Sequence, residues 1–253
     1  MTFGYCHLSI IPLREEPSDT SQMHSQLLFG DVFEILETVS DNWIKIKNAY
    51  DSYEGYIDPK QQISIDSVDY IKLQEPERVN KDLILLNTKL GDFLIPPGCS
   101  FKSITKNEDS FVIGANGNIE LFKALPREEI IKMTKVFLNA PYLWGGKTIF
   151  GVDCSGLTQT VYKMAGYKLL RDASQQATQG ETLNFIEEAL PGDLAFFDNE
   201  EGQIIHVGII LHDNKIMHAS GKVRIDKIDH HGIFNEDLGK YTHKLRLIKQ
   251  IIL

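Results

Sequence analysis

Residues 141–146, Pro141-Tyr142-Leu143-Trp144-Gly145-Gly146, and residues 151–156, Gly151-Val152-Asp153-Cys154-Ser155-Gly156, decide how the C-terminal half of this chain is read. Behind the second stretch Leu157, Val161 and Met164 recur at helical spacing and Gly166 closes the run, so Cys154 is expected at a helix N-terminus with Asp153 as its capping carboxylate. Unpaired backbone N–H groups and the positive end of the helix dipole favour thiolate at such a place, and thiolate is the attacking form. A free cysteine is more often a small buried hydrophobe, so a catalytic role needs partners elsewhere in the chain.

Two histidines supply them. His206 opens the run Val207-Gly208-Ile209-Ile210-Leu211, and His218 lies in Lys215-Ile216-Met217-His218-Ala219-Ser220 after an Asp213-Asn214 turn, so the two runs are expected to form a β-hairpin. A three-residue loop, with Leu211 opposite Lys215, sets His206 opposite Ser220 and His218 diagonally across on the same face; a two-residue loop separates them. A catalytic pair therefore requires an odd loop or a bulge. On that geometry His206 takes the Cys154 proton and His218 fixes the tautomer of His206.

Upstream of this segment the texture changes at Leu125. Pro126 suits a first helical turn, Glu128 and Glu129 complement the helix dipole, and Ile130, Met133, Val136 and Phe137 recur at helical spacing. A mixed α/β domain is expected over 124–253, ending in the strand-like Lys244-Leu245-Arg246-Leu247-Ile248. Before it the chain alternates. Val32-Phe33-Glu34-Ile35-Leu36-Glu37 and Asn42-Trp43-Ile44-Lys45-Ile46-Lys47 read as strands around a polar turn at Val39-Ser40-Asp41, followed by Glu54-Gly55-Tyr56-Ile57, which together predict a small antiparallel barrel over 1–62. A weaker version over 63–123 contains Leu83-Ile84-Leu85-Leu86, a turn at Ile95-Pro96-Pro97-Gly98, and Phe111-Val112-Ile113-Gly114.

Composition bounds the partners. The 253 residues are 42% hydrophobic and 24% charged with a net charge of -9, which argues against nucleic acid or an anionic membrane surface as the main partner. No basic stretch leads a long apolar run, so a cytoplasmic location is expected, although a leader removed from the native chain would leave the same pattern. Cys6, Cys99 and Cys154 are far apart and odd in number, so no disulfide is expected.

The set Asp153-Cys154-Ser155-Gly156, His206 on a strand and His218 twelve positions later resembles the NlpC-type cell-wall peptidases, papain-like cysteine enzymes. The resemblance covers about Pro126 to Leu253 and extends to Tyr142-Leu143-Trp144-Gly145-Gly146, Arg171-Asp172-Ala173-Ser174-Gln175-Gln176 and Pro191-Gly192-Asp193-Leu194. It implies an α+β fold: a papain-like cysteine peptidase domain preceded by two small SH3-like β-barrels, the first barrel also resembling bacterial SH3-like domains. The whole chain resembles the endopeptidases that cut the γ-D-glutamyl bond to meso-diaminopimelate or lysine in peptides with a free N-terminal L-alanine.

That likeness implies Tyr142 at the oxyanion, Trp144 along the groove, and Asp153, Ser155 and Asp172 against the L-Ala-γ-D-Glu part, with Asp172 as partner of the substrate ammonium, since a buried ammonium needs a carboxylate. From the first SH3-like domain it implies Glu16 and Tyr53. One departure is visible: Ala173 stands where the family often has serine. The expected partners are peptidoglycan-derived peptides, with no cofactor and no resident metal. Alternatives left open are an inactive wall-peptide-binding protein, an acyl transferase using the same thiol, and zinc held by Cys154, His206 and His218. Neither the residue after the scissile bond nor the oligomeric state is legible.

Overall fold

A computed structural model describes residues 2–88, 91–101, 112–116 and 118–252. The chain divides into two compact units, Met1–Lys123 with Trp144–Gly146, and Ala124–Leu143 with Lys147–Leu253.

In the first unit β1 (Thr2–Tyr5), β2 (Ile10–Arg14), β3 (Met23–Leu28), β4 (Val32–Ser40), β5 (Trp43–Asn48), β6 (Glu54–Ile57) and β7 (Ile63–Ile65) form one seven-stranded sheet in the order β3-β2-β6-β5-β4-β1-β7. The expected strands are there because alternate side chains point inward: Ile44, Ile46 and Ile57 are buried with Ile11, Leu13, Leu27 and Phe33. Each such side chain contributes about 1.5–3 kcal/mol by leaving water. The boundary expected at residue 62 falls short, because Ile63–Ile65 pairs with β1 as the outermost strand of this sheet.

After α1 (Ser67–Leu73) come β8 (Arg78–Asn80), β9 (Ile84–Thr88), β10 (Gly91–Ile95), β11 (Ser100–Phe101), β12 (Val112–Asn116) and β13 (Ile119–Leu121), in two three-stranded sheets, β10-β9-β12 and β11-β8-β13. Phe111, which opens the run expected there, lies outside the described residues. The two β regions, expected as separate domains, are one compact unit. Leu28 and Phe29 at the end of β3 pack with Ile84, Leu86, Ile95 and Cys99 in a shared core, and Ser100 donates to the Phe29 carbonyl at 3.0 Å. Trp144–Gly146 groups with this unit, where Gly145 has φ +76° and an added Cβ would stand 2.5 Å from the Met23 carbonyl oxygen. Glycine is therefore required at that position on two counts.

The second unit holds α2 (Arg127–Thr134), β14 (Lys147–Thr148), β15 (Gly151–Val152), α3 (Cys154–Met164), α4 (Ala173–Gln176), β16 (Glu181–Leu183), β17 (Leu194–Asp198), β18 (Ile204–Leu211), β19 (Lys215–Ser220), β20 (Lys222–Asp229), β21 (Gly232–Asn235) and β22 (Lys240–Gln250). The larger sheet runs β16-β22-β17-β18-β19-β20-β21, and β21 also pairs with β22, so six strands close on themselves. Ala195, Phe197, Ile210, Ile216, Ile228, Ile233 and Ile248 form a core on this sheet. Every residue of α3 is buried, which makes it the central helix of the unit. Pro126 occupies the cap position before α2, one place earlier than expected, and the helix tightens into a 3-10 turn at Lys135–Phe137. Among the described residues no helix is long and apolar enough to cross a membrane.

Candidate active site

The helix that carries Cys154 begins as expected. Asp153 has extended backbone and its Oδ1 accepts from the Gly156 N–H at 2.6 Å, which caps α3 and puts Cys154 in the first turn. At the other end Gly166, with φ +81°, stops the helix. The Asp153 carboxylate is also gripped from outside the helix by Arg171, whose guanidinium reaches Oδ2 at 2.6 Å and Oδ1 at 3.1 Å and donates to Ser155 Oγ at 2.9 Å. Arg171 is 1% exposed and Asp153 6%, so this is a buried bidentate pair. Asp153 and Ser155 thus share one cluster with Arg171. Asp172 heads α4 and is half-buried, its N–H donating to Gln175 Oε1 at 3.1 Å.

The hairpin has the odd loop that a catalytic pair requires. Leu211 pairs with Lys215 and Gly208 with His218, leaving His212, Asp213 and Asn214 as the loop; Asp213 and Asn214 take φ of 60° and 52° there. His206, two residues from Gly208, is consequently on the face of His218, and the rings meet through His206 Nε2 and His218 Nδ1 at 2.9 Å. Both are buried.

The chain of contacts continues through residues absent from the sequence-based expectation. His218 Nε2 lies 3.0 Å from Asp226 Oδ2. Asp226 sits on β20, where His218 pairs with Arg224, so its side chain meets the histidine diagonally. Arg224 in turn donates to Asp226 Oδ1 at 2.8 Å and to Asp237 Oδ2 at 2.9 Å. Burial pushes the Asp226 carboxyl up, but hydrogen bonds from His218 and Arg224 outweigh this and hold it below the usual value. An ionised carboxylate only accepts, so a neutral His218 keeps its proton on Nε2 and offers a bare Nδ1. His206 must then donate from Nε2, and its own Nδ1 is left bare to take a proton.

Cys154 is adjacent: α3 packs on β18, and the Val207 N–H beside His206 bonds to the thiol, as does that of Ser155. The thiol itself departs from expectation. Burial, then the Asp153 charge, pushes it up to about 12 against the opposing Val207 N–H, Arg171 and Ser155 N–H. Desolvation at a fully packed helix outweighs the helix-end effect. His206 is held well below the ordinary imidazole value by burial first and then by the His243 and His218 rings. The resting pair is therefore thiol and neutral imidazole, with the proton passing to His206 as the sulfur attacks. Alkylation of Cys154 by iodoacetamide is expected to be level between pH 7 and 9, because neutral His206 takes the proton as the sulfur reacts, and to rise about tenfold per pH unit in His206→Ala, where only free thiolate reacts. A wild-type rate that itself rises about tenfold per unit would remove His206 as the base.

Tyr142 is half-buried, with its N–H on the Gly221 carbonyl at 3.0 Å. Its phenol is raised to about 12, by burial first and then by the charges of Cys154 and Asp153, so it stays a donor throughout the working pH range. A protonated phenol near the sulfur can stabilise an oxyanion. Trp144 is 57% exposed and belongs to the segment grouped with the first unit. In that unit Glu16 is exposed between β2 and β3, and Tyr53 is half-buried between β5 and β6.

Residues 139–241 match the model of the NlpC/P60 family, and residues 13–61 match that of the bacterial dipeptidyl-peptidase SH3 domain. The chain carries an NlpC/P60 domain. Its catalytic domain is that of a cysteine peptidase, a hydrolase, behind an SH3-like region. It is similar to γ-D-glutamyl-L-lysine dipeptidyl-peptidase of Bacillus subtilis, 43% identical over 94 residues that cover 36% of this chain and 31% of that protein. It is 25% identical over 264 residues to dipeptidyl-peptidase 6 of Lysinibacillus sphaericus, covering 89% of this chain and 92% of that protein. The first similarity thus spans about a third of its relative and the second nearly all. In fold, the chain resembles a crystal structure of an NlpC/P60 family protein from Bacillus cereus, with a TM-score of 0.79 at 18% identity over 98% of this chain and 99% of that one. Of the residues gathered at this site, Cys154, His206 and His218 are the part legible beforehand; Asp226, Arg224 and the clamp by Arg171 are the part added by the structure.

Proposed function

We propose that this NlpC/P60 protein is an endopeptidase that hydrolyses the γ-D-glutamyl bond to a diamino acid, meso-diaminopimelate or lysine, in peptidoglycan peptides with a free N-terminal L-alanine, releasing L-Ala-γ-D-Glu. The observation that carries the chemistry is the continuous line from His206 Nε2 to His218 Nδ1 at 2.9 Å and from His218 Nε2 to Asp226 at 3.0 Å, which leaves the base ready beside Cys154. Attack by sulfur gives a tetrahedral oxyanion near Tyr142, then an acyl-thiol with the diamino acid leaving on the proton from His206; water completes the cycle. The bond class is supported by similarity to proteins named as γ-D-glutamyl-L-lysine dipeptidyl-peptidases and by the dipeptidyl-peptidase type of the SH3 match. Asp172 is proposed as partner of the substrate ammonium, whereas Glu16, Tyr53 and Trp144 enter through the resemblance alone. A role in recycling follows from the free amine, which only peptides already cut from the glycan carry.

The tripeptide L-Ala-γ-D-Glu-meso-diaminopimelate, offered beside its N-acetylated form and followed by mass spectrometry, tests both parts. Release of L-Ala-γ-D-Glu from the free-amine form is expected, with kcat/KM about a hundredfold lower for the acetylated one, the size of a lost charge-assisted contact. Equal cleavage of both would keep the nucleophile and remove the role of Asp172. Cleavage of neither would favour a wall-peptide-binding or transferase protein.

A further inference from the structure

We propose that His206, His218 and His243 form a zinc site whose occupation switches the peptidase off. His243, on β22, has no part in the proton path described above. Its ring stacks on His206 with centroids 4.2 Å apart and planes 22° from parallel, and meets His218 edge-on at 5.6 Å. One ring nitrogen from each of the three lies within 4.8 Å of the others. The Thr242 hydroxyl holds His243 Nδ1 at 2.9 Å, which leaves Nε2 for a metal.

Imidazole is the commonest protein ligand for zinc, and three with one solvent position complete a tetrahedron. Zinc–nitrogen bonds of about 2.0–2.1 Å set the nitrogens of a tetrahedral site about 3.3 Å apart. His206 Nε2 and His218 Nδ1, now 2.9 Å apart, must open by a few tenths of an ångström and tilt so that both lone pairs meet the ion, and His243 must turn out of its stack on His206, because an imidazole lone pair lies in the ring plane. Asp226 on His218 Nε2 supplies the outer carboxylate that orients a ligating histidine and strengthens it as a donor.

The inhibition has an atomic cause. The metal takes the place of the proton that His206 Nε2 shares with His218 Nδ1. A neutral His206 ring then carries its proton on Nδ1, the atom that must be bare to accept from Cys154. Zinc and the catalytic proton path are mutually exclusive. The inference concerns the same site as the proposed function, but the metal binding does not depend on the substrate named there.

The test uses the full chain. Zinc chloride is titrated by calorimetry into Cys154→Ala and into Cys154→Ala with His243→Phe, which keeps a stacking ring. Cobalt(II) is added to the otherwise unchanged protein and its visible spectrum recorded. One zinc per chain is expected in Cys154→Ala, with affinity at least about tenfold weaker once His243 is removed. Cobalt is expected to give tetrahedral bands without sulfur-to-cobalt charge transfer. For the active protein, the half-inhibiting zinc concentration should rise at least about tenfold in His243→Phe, each measured against its own zinc-free rate, with chelator restoring activity.

Loss of binding in Cys154→Ala, or a thiolate band with cobalt, would put the metal on the nucleophile and overturn the proposal. Unchanged affinity in the His243→Phe background would do the same. So would loss of binding on changing His230 and His231 to alanine, since Asp229, His230 and His231 form a second, exposed cluster.

Discussion

Asp226→Asn is expected to lower kcat by about two to four orders of magnitude, more than Asp226→Ala, although asparagine is nearly the same shape. The order follows from which atoms can donate. Arg224 has only donors; its Nη2 bonds Oδ1 at 2.8 Å, whereas its Nε lies 2.7 Å from Oδ2 without making a hydrogen bond, so the asparagine oxygen takes the bonded Oδ1 position and its NH2 faces His218 Nε2. That nitrogen must then be bare, and His218 carries its proton on Nδ1. Across the 2.9 Å contact His206 Nε2 becomes the acceptor, and the His206 proton moves to Nδ1, facing the sulfur it should deprotonate. Alanine leaves both tautomers open and permits water in the gap, at a cost of about ten- to a hundredfold. Two measurements check this: kcat and KM with the free-amine tripeptide, where KM should change little, and alkylation of Cys154, which needs no substrate and should slow in parallel. An asparagine variant as active as wild type would remove Asp226 from the proton path.

Why Cys154, His206 and His218 were legible and Asp226 was not comes down to register. The helix start carries its own signals, Asp153 as cap and Gly166 as stop, and the β18–β19 hairpin allows only two facings, of which chemistry selects one. Asp226 lies in Lys222-Val223-Arg224-Ile225-Asp226-Lys227, an alternation that reads as an ordinary strand with a wet face. The clue was Gly221: with φ +70° it makes the turn alone, Ser220 pairs with Lys222, and that register brings Asp226 to His218. His243 had no clue. Strand β22 shifts register near Thr242 and again near Arg246, and each shift reverses which face the following residues occupy. A period of two cannot be followed through it. The thiol pKa went the other way from expectation because a sequence shows the helix end but not the packing on every side of α3. The single first unit was hidden for a similar reason, since Leu28 and Phe29 read as the end of one strand and serve the core of the next region.

The largest expected stability effect lies at Arg171. Arg171→Met is expected to destabilise the catalytic unit by about 3–5 kcal/mol, the usual result of removing one partner from a buried ion pair. Methionine fills much of the volume, so the loss is electrostatic: Asp153, 6% exposed, loses its bidentate cationic partner while the Gly156 N–H and the Ser155 hydroxyl still bond to it. The midpoint of thermal unfolding should fall on the order of 10 °C. Changing Asp153→Asn in the same molecule should return a substantial part of that loss, because an amide still accepts from Gly156 and removes the buried charge that Arg171 balanced. The double-mutant cycle separates this cause from simple cavity formation, which would leave the two effects additive. The same pair bears on catalysis, since Asp153 raises the Cys154 thiol and Arg171 lowers it. Arg171→Met alone should therefore slow alkylation of Cys154 at temperatures where the variant remains folded, and the double variant should regain it. A cation buried behind the helix thus serves the fold by holding the cap of α3 and serves the chemistry by offsetting the charge that this cap brings to the nucleophile.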